Sequence, residues 1–319
     1  MTLAAPRPRP RPVRVPETAD LDRAWEVVRE VLAPTPVFEA GPGLGGGLLK
    51  LETTQPTGSF KVRGALSALA ALPPGTPAVT ASAGNHGLAM AWAAQRIGAE
   101  ATVVVSTRAS AAKVDRIAAY PVGLVRHGDG FDDAEAHALG LPGHYVSAYN
   151  DPAVIAGQAT IGRELDAQTV GPLTVVVPVG GGGLAAGLSL WARARGDVRV
   201  VGVESAASLA VSHAVRVGRV ARIEIGETIA DGVRGGIEPG CVTPEILAGQ
   251  AELTCATEDE LRAAMRWLYR EHGLVAEGAG ALAVAAVLAG KVTVTGRLVV
   301  ALTGRNVTVP TYLEAIGHD

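Results

Sequence analysis

The stretch LTVVVPVGGGGLAAGLSLWARAR (Leu173–Arg195) decides the class of fold that this chain can adopt. It begins with a continuous run of apolar, β-branched residues, passes through consecutive glycines, and continues with the apolar spacing of a helix. A continuous apolar run, unlike an alternating one, is typical of a parallel strand that helices cover on both faces. The stretch therefore predicts a strand, a loop and a helix of an α/β protein.

Strand-like and helix-like segments alternate over most of the remaining sequence. Strands are predicted at residues 77–82, 101–105, 122–127, 198–205 and 296–304, and helical patterns lie between them. Parallel strands that alternate with helices form open, twisted sheets, which bind ligands at the carboxyl ends of their strands. We therefore predict an α/β fold with two such mostly parallel sheets, each with helices on both faces.

The composition argues against several classes of protein. The chain has 319 residues, of which 48% are hydrophobic and 18% are charged, as in ordinary globular proteins. A net charge of −3 and an aromatic content of 4% argue against a nucleic-acid partner, which would need a basic field or stacking rings. Every long apolar stretch contains a charge or a turn signal, so no membrane-spanning segment is expected.

The cysteines and the N-terminal residues bear on the compartment of the protein. Cys241 and Cys255 cannot build a disulfide framework and form no metal-type pair, which favours a reducing cytoplasm. The N-terminal sequence MTLAAPRPRPRPVRVP alternates arginine with proline and lacks the apolar core of a secretory signal. Residues 1–20 are predicted to form an extended or disordered Pro/Arg-rich tail, with a short basic interaction arm as the alternative.

The stretch PTGSFKVRGA (Pro56–Ala65) places Lys61 among small, polar and aromatic residues that are typical of a tight, partly buried turn. A lysine in a desolvated pocket has a lowered pKa, and its neutral amine can attack a carbonyl to form a Schiff base. The alternative is a surface lysine that precedes a helix.

Two further loops each precede a predicted helix. In ASAGNHGLA (Ala81–Ala89), small residues leave backbone N–H groups that can bind a carboxylate or phosphate, and Asn85 adds an amide for a ring hydroxyl. A simple helix cap is the alternative there. The consecutive glycines Gly180–Gly183 are unfavourable in helices and strands, but they can wrap N–H groups around a phosphate. A dinucleotide-binding loop fits these glycines less well. Such a loop has an acidic residue about twenty positions after its glycines, and the best candidate here is Glu204.

The stretch LVVALTGRN (Leu298–Asn306) ends a predicted strand with a threonine and a glycine turn. The hydroxyl of Thr303 is therefore expected at the carboxyl edge of a sheet, although on its own Thr303 would be an ordinary turn residue. A lysine for a Schiff base, a glycine loop for a phosphate, an amide and a terminal hydroxyl together match pyridoxal phosphate better than any other common cofactor.

From about residue 20 onward, the sequence resembles the fold-type II pyridoxal-phosphate enzymes, whose fold is tryptophan synthase β-like. PTGSFKVRGA resembles the cofactor-lysine motif of the serine/threonine dehydratase and serine racemase group. The stretches ASAGNHG, VGGGG, ETIADGV, AEGAGALA and TGRN follow it in the order of that group. The resemblance implies a PLP-dependent enzyme with pyridoxal 5'-phosphate as its cofactor.

The resemblance also implies a role for individual residues. Lys61 would be the catalytic residue that holds the cofactor, Phe60 would pack against the cofactor ring, and Thr303 would face the pyridine nitrogen. The cofactor-binding residues so implied are Phe60, Lys61, Asn85, Gly180, Gly181, Gly182, Gly183, Leu184 and Thr303. The residues implied for the substrate carboxylate are Ser82, Ala83, Gly84, Asn85 and His86.

The same resemblance implies a division of the chain into two domains. Residues 75–148 would form a small mobile domain that grips the substrate. Residues 21–74 and 149–319 would form the large domain that binds the cofactor. The expected protein is a cytoplasmic homodimer that acts on a small amino-acid substrate, and no further domain is expected after Asp319.

The reaction that the resemblance implies is β-elimination, the dehydration and deamination of a β-hydroxy amino acid such as L-threonine or L-serine to a 2-oxo acid and ammonia. Ala83 stands where the racemases have a second serine, which argues against an amino-acid racemase but leaves it as the alternative. Gly278 and Arg305 also depart from the family pattern, so hydroxyaspartate and aryl-serine stay open as substrates. β-Replacement and a non-catalytic binding role are further alternatives.

A metal site is left open by the sequence. Some members of the family hold a divalent cation near the strand that corresponds to the one containing Glu204. Ala210 stands where a second acidic residue is expected, so Glu204 is the one candidate ligand that the pattern retains.

Overall fold

The computed structural model describes residues 13–317, so most of the tail expected at residues 1–20 lies outside the described residues. Helix α1 (Thr18–Val31) begins inside that expected tail, because the carboxylate of Asp20 accepts the N–H of Glu17 at 2.8 Å and caps the helix. The hydrogen bond from Arg14 to Asp20 lowers the pKa of that carboxyl to about 2. Residues 18–20, which were assigned to the tail, therefore belong to α1.

Residues 13–317 form ten strands. They are β1 (Val37–Glu39), β2 (Leu48–Leu51), β3 (Ala78–Ala81), β4 (Ala101–Val105), β5 (Gly123–Arg126), β6 (His144–Tyr145), β7 (Leu173–Pro178), β8 (Val198–Ser205), β9 (Ala251–Ala256) and β10 (Arg297–Leu302).

The strands form two sheets. The larger sheet has the order β1-β2-β10-β7-β8-β9 and is parallel except for β1, which pairs antiparallel with β2. The smaller sheet has the order β5-β4-β3-β6 and is parallel throughout. Its strands span residues 78–145 and so lie within the segment 75–148 that was expected to form a separate domain.

The described residues also form twelve α-helices. After α1 they are α2 (Lys61–Ala70), α3 (Asn85–Ile97), α4 (Ala111–Ala118), α5 (Phe131–Gly140), α6 (Pro152–Gln168), α7 (Gly183–Arg195), α8 (Ala210–Val217), α9 (Thr243–Leu247), α10 (Glu258–His272), α11 (Gly278–Leu288) and α12 (Val309–Ile316).

Strand β7 shows why its apolar run is continuous. Val175 and Val177 pack into the cluster on the α6 and α7 side of the larger sheet, whereas Val176 packs into the cluster on the α10 and α11 side. Every residue of β7 is buried, so each side of the strand needs an apolar surface. The predicted α/β class with two mostly parallel sheets is confirmed.

Several elements were not predicted: β1, β2, β6, β9, α2, α8, α9 and α12. Strand β2 illustrates the reason, because its sequence LLKL is short and includes the fully buried Lys50, which a hydrophobic pattern cannot assign to a core. Within residues 13–317, no helix has both the length and the apolar character needed to cross a membrane.

Candidate active site

The loops singled out in the sequence meet at the carboxyl ends of the strands. The glycine loop follows β7, Thr303 follows β10, and the loop Ser82–His86 follows β3 of the smaller sheet. This is the edge at which an open α/β sheet binds its ligand.

The loop after β3 is hydrogen-bonded to the segment after β10 through Asn85 and Asn306. The ring of Tyr149 lies against Gly181 of the glycine loop, and the neighbouring Ala148 accepts a hydrogen bond from Lys61.

Lys61 is brought to this site by pairing of the backbone before it with the backbone after β10. Gly58 adopts a left-handed conformation (φ 74°), which turns the chain toward α2. The N–H of Phe60 then donates to the carbonyl of Thr303 at 3.0 Å, and the N–H of Arg305 donates to the carbonyl of Gly58 at 3.0 Å. Lys61 therefore begins α2 beside the end of β10, as the first residue of the helix.

The amine of Lys61 has the properties of a nucleophile and base. Its side chain is half-buried, its Nζ donates to the carbonyl of Ala148 at 2.9 Å, and it lies 5.1 Å from the centroid of the Phe60 ring. Burial lowers the pKa of Lys61 to about 8, and the carboxyl of Glu277 acts in the opposite direction. A substantial fraction of this amine is therefore neutral near physiological pH.

The glycine loop presents a set of unused backbone donors. Among the described residues, no oxygen accepts the N–H groups of residues 180–185, at the start of α7. The loop is held closely, because a Cβ on Gly181 would overlap the Tyr149 ring and the Thr243 hydroxyl donates to the Gly181 carbonyl at 2.6 Å. Gly182 is left-handed (φ 85°). Such a nest of N–H groups at a helix N-terminus suits a phosphate.

The loop after β3 offers a second set of donors. Its Ser82 N–H donates to the Val104 carbonyl at 3.0 Å, but within residues 13–317 no oxygen accepts the N–H groups of Ala83, Asn85 and His86. His86 is buried, and burial followed by the positive charge of Lys61 lowers its pKa to about 3, so the imidazole is neutral. The loop can therefore bind a carboxylate through its backbone.

Asn85 is linked to two residues that the sequence patterns did not assign. Its Nδ2 donates to Oε1 of Glu277 at 2.6 Å, and its Oδ1 accepts from Nδ2 of Asn306 at 2.6 Å. Glu277 is buried, and burial raises the pKa of its carboxyl to about 7. The available signal for Glu277 was an acidic residue directly before the apolar helix α11, in the stretch AEGAGALA.

These residues fit the cofactor that the resemblance implies. Unused N–H groups at the start of α7 suit its phosphate, the low-pKa amine of Lys61 suits its aldehyde, and Thr303 is buried at the end of β10 beside Phe60. In addition, the Ser59 hydroxyl is buried and has no hydrogen-bond partner among the described residues, as is typical of a polar group next to a ligand site.

The departures from the family pattern have local structural explanations. Arg305 is exposed, and its Nε donates to the carbonyl of Thr53 at 2.6 Å. A Cβ at Gly278 would overlap the carbonyl of Ile229, so the close approach of α11 to that segment requires a glycine here. Ala83 packs with the apolar cluster of α3, β4 and α4 and supplies no group that could transfer a proton.

Glu204 is a helix cap in this structure. Its buried carboxylate accepts the N–H groups of Val211 at 2.8 Å and Ser212 at 3.0 Å, and it also accepts the Ser212 hydroxyl. In the part of the chain that the structure describes, no group of three or more His, Cys, Asp or Glu side chains could hold a metal ion.

A buried ionic network supports the helix that begins with Lys61. Arg63, two residues further along α2, donates to both carboxylate oxygens of Glu52 at 2.8 Å and to Oε1 of Glu164 at 2.6 Å. Lys50 pairs with the other oxygen of Glu164. These side chains are 0–2% exposed, so the network ties α2 to β2 and α6 in the interior.

Comparisons with known proteins agree on one family. The sequence profile of the family described as "Pyridoxal-phosphate dependent enzyme" matches residues 28–304. The chain is 38% identical to the L-threonine ammonia-lyase of Thermotoga maritima over 271 residues, which cover 82% of this chain and 67% of that protein. The crystal structure of the threonine deaminase from T.th. has a TM-score of 0.84 and 35% identity, and the match covers 92% of this chain and 99% of that one. Maize serine racemase has a TM-score of 0.87 and 25% identity, with 95% and 97% covered.

Proposed function

The chain belongs to the family of pyridoxal-phosphate dependent enzymes, and from this premise we propose that it is an ammonia-lyase acting on L-threonine or L-serine. The reaction is β-elimination: the substrate loses its β-hydroxyl group and then its amino group, which leaves a 2-oxo acid and ammonia. The observation that carries the proposal is the half-buried Lys61 amine. Its pKa is lowered to about 8, and it donates to the carbonyl of Ala148, next to Tyr149, whose ring lies against Gly181 of the glycine loop.

The cofactor would be held by residues from both sheets. Lys61 would hold its aldehyde covalently, the N–H groups of residues 180–184 would hold its phosphate, and Phe60 would pack against its ring. Asn85 would hydrogen-bond the ring hydroxyl, and Thr303 would face the pyridine nitrogen. When bound, pyridoxal phosphate supplies an electron sink that stabilises negative charge on the substrate Cα.

The protein residues then orient the substrate and move its proton. The N–H groups of Ala83, Asn85 and His86 bind the substrate carboxylate, because a helix N-terminus favours an anion. The Lys61 amine, released when the substrate binds, removes the Cα proton, because its lowered pKa leaves a substantial fraction of the amine neutral near physiological pH. The Ala148 carbonyl accepts a hydrogen bond from this amine at 2.9 Å and so orients it.

The proposal is tested with the purified holoenzyme and a panel of L-threonine, L-serine, β-hydroxyaspartate and an aryl-serine. We expect 2-oxo acid and ammonia in equal amounts from threonine or serine, with a coupled dehydrogenase as the detector. Formation of oxo acid from β-hydroxyaspartate or the aryl-serine alone would redefine the substrate. No oxo acid from any member of the panel would refute the lyase assignment.

A racemase is the second candidate, because the serine racemase of maize has a similar structure. Racemisation requires proton transfer on both faces of the Cα, whereas Ala83 presents only a methyl group next to an apolar cluster. Chiral chromatography of serine recovered from the reaction distinguishes the two. We expect L-serine alone to be recovered, and accumulation of D-serine would favour the racemase.

The lowered pKa of Lys61 predicts how cofactor capture depends on pH. Only the neutral amine attacks the cofactor aldehyde, so the rate of covalent capture by the apoenzyme should rise as the pH increases through about 8. Stopped-flow absorbance measures this rate, and Nα-acetyl-lysine in place of the protein serves as the control. A midpoint near 10.5, the ordinary value for lysine, would contradict the desolvated environment of Lys61.

The domain division, assembly and compartment complete the proposal. Residues 75–148 would move as a unit against the rest, which is supported by their own four-stranded sheet. The contacts of Lys113 with Asp231 and of Arg116 with Asn306 join this unit to the rest and would change as it moves. Hydrogen exchange with and without substrate measures this motion.

A homodimer is supported by the exposed apolar side chains of Tyr269, Val309 and Leu313 on α10 and α12, and light scattering tests it. A cytoplasmic location is supported by the free thiols of Cys241 and Cys255, and cell fractionation tests it.

A further inference from the structure

We propose that Arg116 and Asn306 determine the orientation of the Asn85 side-chain amide, so that Asn85 presents an N–H donor to the ring oxygen of the bound cofactor. The inference rests on the proposed function, because it takes Asn85 as a residue that contacts the cofactor. Arg116 and Asn306 act through Asn85 and are therefore positioning residues.

The first step is the orientation of the Asn306 amide. Nη1 of Arg116 lies 2.9 Å from Oδ1 of Asn306, and a guanidinium can only donate. The backbone carbonyl of Thr57 lies 2.8 Å from Nδ2 of Asn306, and a carbonyl can only accept. The oxygen and the nitrogen of a side-chain amide are otherwise hard to distinguish, but these two partners permit one assignment of the oxygen and nitrogen of Asn306.

The second step transfers this orientation to Asn85. The remaining N–H of Asn306 donates to Oδ1 of Asn85 at 2.6 Å. On the other side, Nδ2 of Asn85 donates to the Glu277 carboxylate at 2.6 Å. If the Asn85 amide were rotated by half a turn, two donors would face each other at Asn306, and at Glu277 the Oδ1 of Asn85 would replace the N–H donor. The contact between two donors at Asn306 is unfavourable, so the half-buried Asn85 amide has one preferred orientation.

The third step concerns what Asn85 has left to offer. A side-chain amide has two N–H donors and one carbonyl, and here the carbonyl and one N–H are occupied by Asn306 and Glu277. The remaining group is an N–H donor. A donor next to the cofactor ring oxygen favours the negatively charged form of that oxygen, whereas an acceptor would favour the protonated form.

The hydrogen-bond relay formed by Arg116, Asn306 and Asn85 crosses between the two parts of the chain. Asn85 and Arg116 belong to α3 and α4 beside the smaller sheet, whereas Asn306, Thr57 and Glu277 belong to the part built on the larger sheet. Arg116 is exposed, and yet its bond to Asn306 sets the direction of the hydrogen bonds that lead inward to Asn85. The polarity of Asn85 therefore depends on contact between the two parts.

The test is Asn306→Asp in the holoenzyme. Aspartate has the same size and keeps its bond to Arg116, but it cannot donate to Asn85 or to Thr57, so the Asn85 amide loses its preferred orientation. We expect a changed visible absorption spectrum of the bound cofactor and a dissociation constant for pyridoxal phosphate that is about tenfold higher. Arg116→Ala removes one of the two partners that orient Asn306 and leaves the Thr57 carbonyl, so it should change the same two quantities in the same direction by a smaller factor. Arg108→Ala, which removes an exposed arginine near α4, is the matched control and should change neither.

The readouts separate this inference from the proposed function. An unchanged spectrum and an unchanged cofactor affinity in folded Asn306→Asp would overturn the relay, even if the activity fell. If Asn306→Asp does not fold, as judged by circular dichroism, Arg116→Ala decides the question on the same readouts. A wild-type protein that binds the cofactor but eliminates no hydroxyl group would refute the lyase assignment and leave the relay to be judged by its spectra. A wild-type protein that binds no pyridoxal phosphate would overturn both.

Discussion

Lys61→Ala is expected to lower the rate of oxo-acid formation by at least about 10³-fold, because one amine serves both as the cofactor attachment and as the base at Cα. The variant should also lose the visible absorption band of lysine-bound pyridoxal phosphate. Steady-state assays with L-threonine and an absorption spectrum of the purified variant measure the two effects. We expect the fold to persist, since the amine makes one hydrogen bond, to the Ala148 carbonyl.

The control for this substitution is Lys291→Ala. Lys291 follows α11, is exposed and pairs with Glu260 of α10. Its replacement by alanine removes one positive charge, as Lys61→Ala does, but it does not affect the site. Full activity and an intact absorption band are expected for this control. If Lys61→Ala retained the band or more than about a tenth of the activity, another group would attach the cofactor or remove the proton. A loss of less than about tenfold is far smaller than the usual effect of removing a catalytic base.

Arg63→Ala is expected to lower the free energy of unfolding by about 3–5 kcal/mol, because it leaves buried carboxylates without their partner. Arg63 is 0% exposed, and it neutralises Glu52 through two hydrogen bonds and Glu164 through a third. The attraction of these charges outweighs burial and raises the pKa of Arg63 above its already high ordinary value, so the guanidinium stays charged. Urea denaturation of the apoenzyme, followed by circular dichroism, measures the change.

The matched control is Arg297→Ala. Arg297 pairs with Glu39 at 2.7 Å, but both side chains are substantially exposed, so the loss should be at most about 1 kcal/mol. If Arg63→Ala were no more destabilising than Arg297→Ala, the buried network would not stabilise α2. Because Arg63 lies two residues after Lys61 in the same helix, weaker cofactor binding is expected to accompany the loss of stability.

Much of the fold could be predicted from apolar periodicity. The strands β3, β4, β7, β8 and β10 follow apolar runs, because most of their residues are buried, and β5 follows a short apolar stretch at the edge of the smaller sheet. The predicted helices follow apolar residues at helical spacing. Strand β9, at the edge of the larger sheet, was not predicted because its sequence AELTCA contains no continuous apolar run. The start of α1 is determined by the capping box of Glu17 and Asp20, and the acidic residue near the start of ADLDRAWEVVREVL indicates it in the sequence.

The candidate site could be predicted only in part. Lys61, the glycine loop and the loop after β3 belong to local motifs, in which neighbouring residues reveal the required backbone conformation. Glu277 and Asn306 lie in the quoted stretches AEGAGALA and TGRN, but nothing in those stretches indicates that they bind Asn85. Their relevance depends on contact with Asn85, which lies 192 and 221 positions away in the sequence.

The sequence by itself determined the α/β class, the lysine, the two loops with free N–H donors and the kind of cofactor that they suit. These features follow from short stretches, because strand burial, helix N-termini and glycine turns are properties of neighbouring residues. Only the tertiary structure decided that burial lowers the pKa of Lys61, that Arg63 lies in a buried ionic network, and which way the Asn85 amide faces. The physical reason is that desolvation and hydrogen-bond polarity depend on groups that approach from distant parts of the chain.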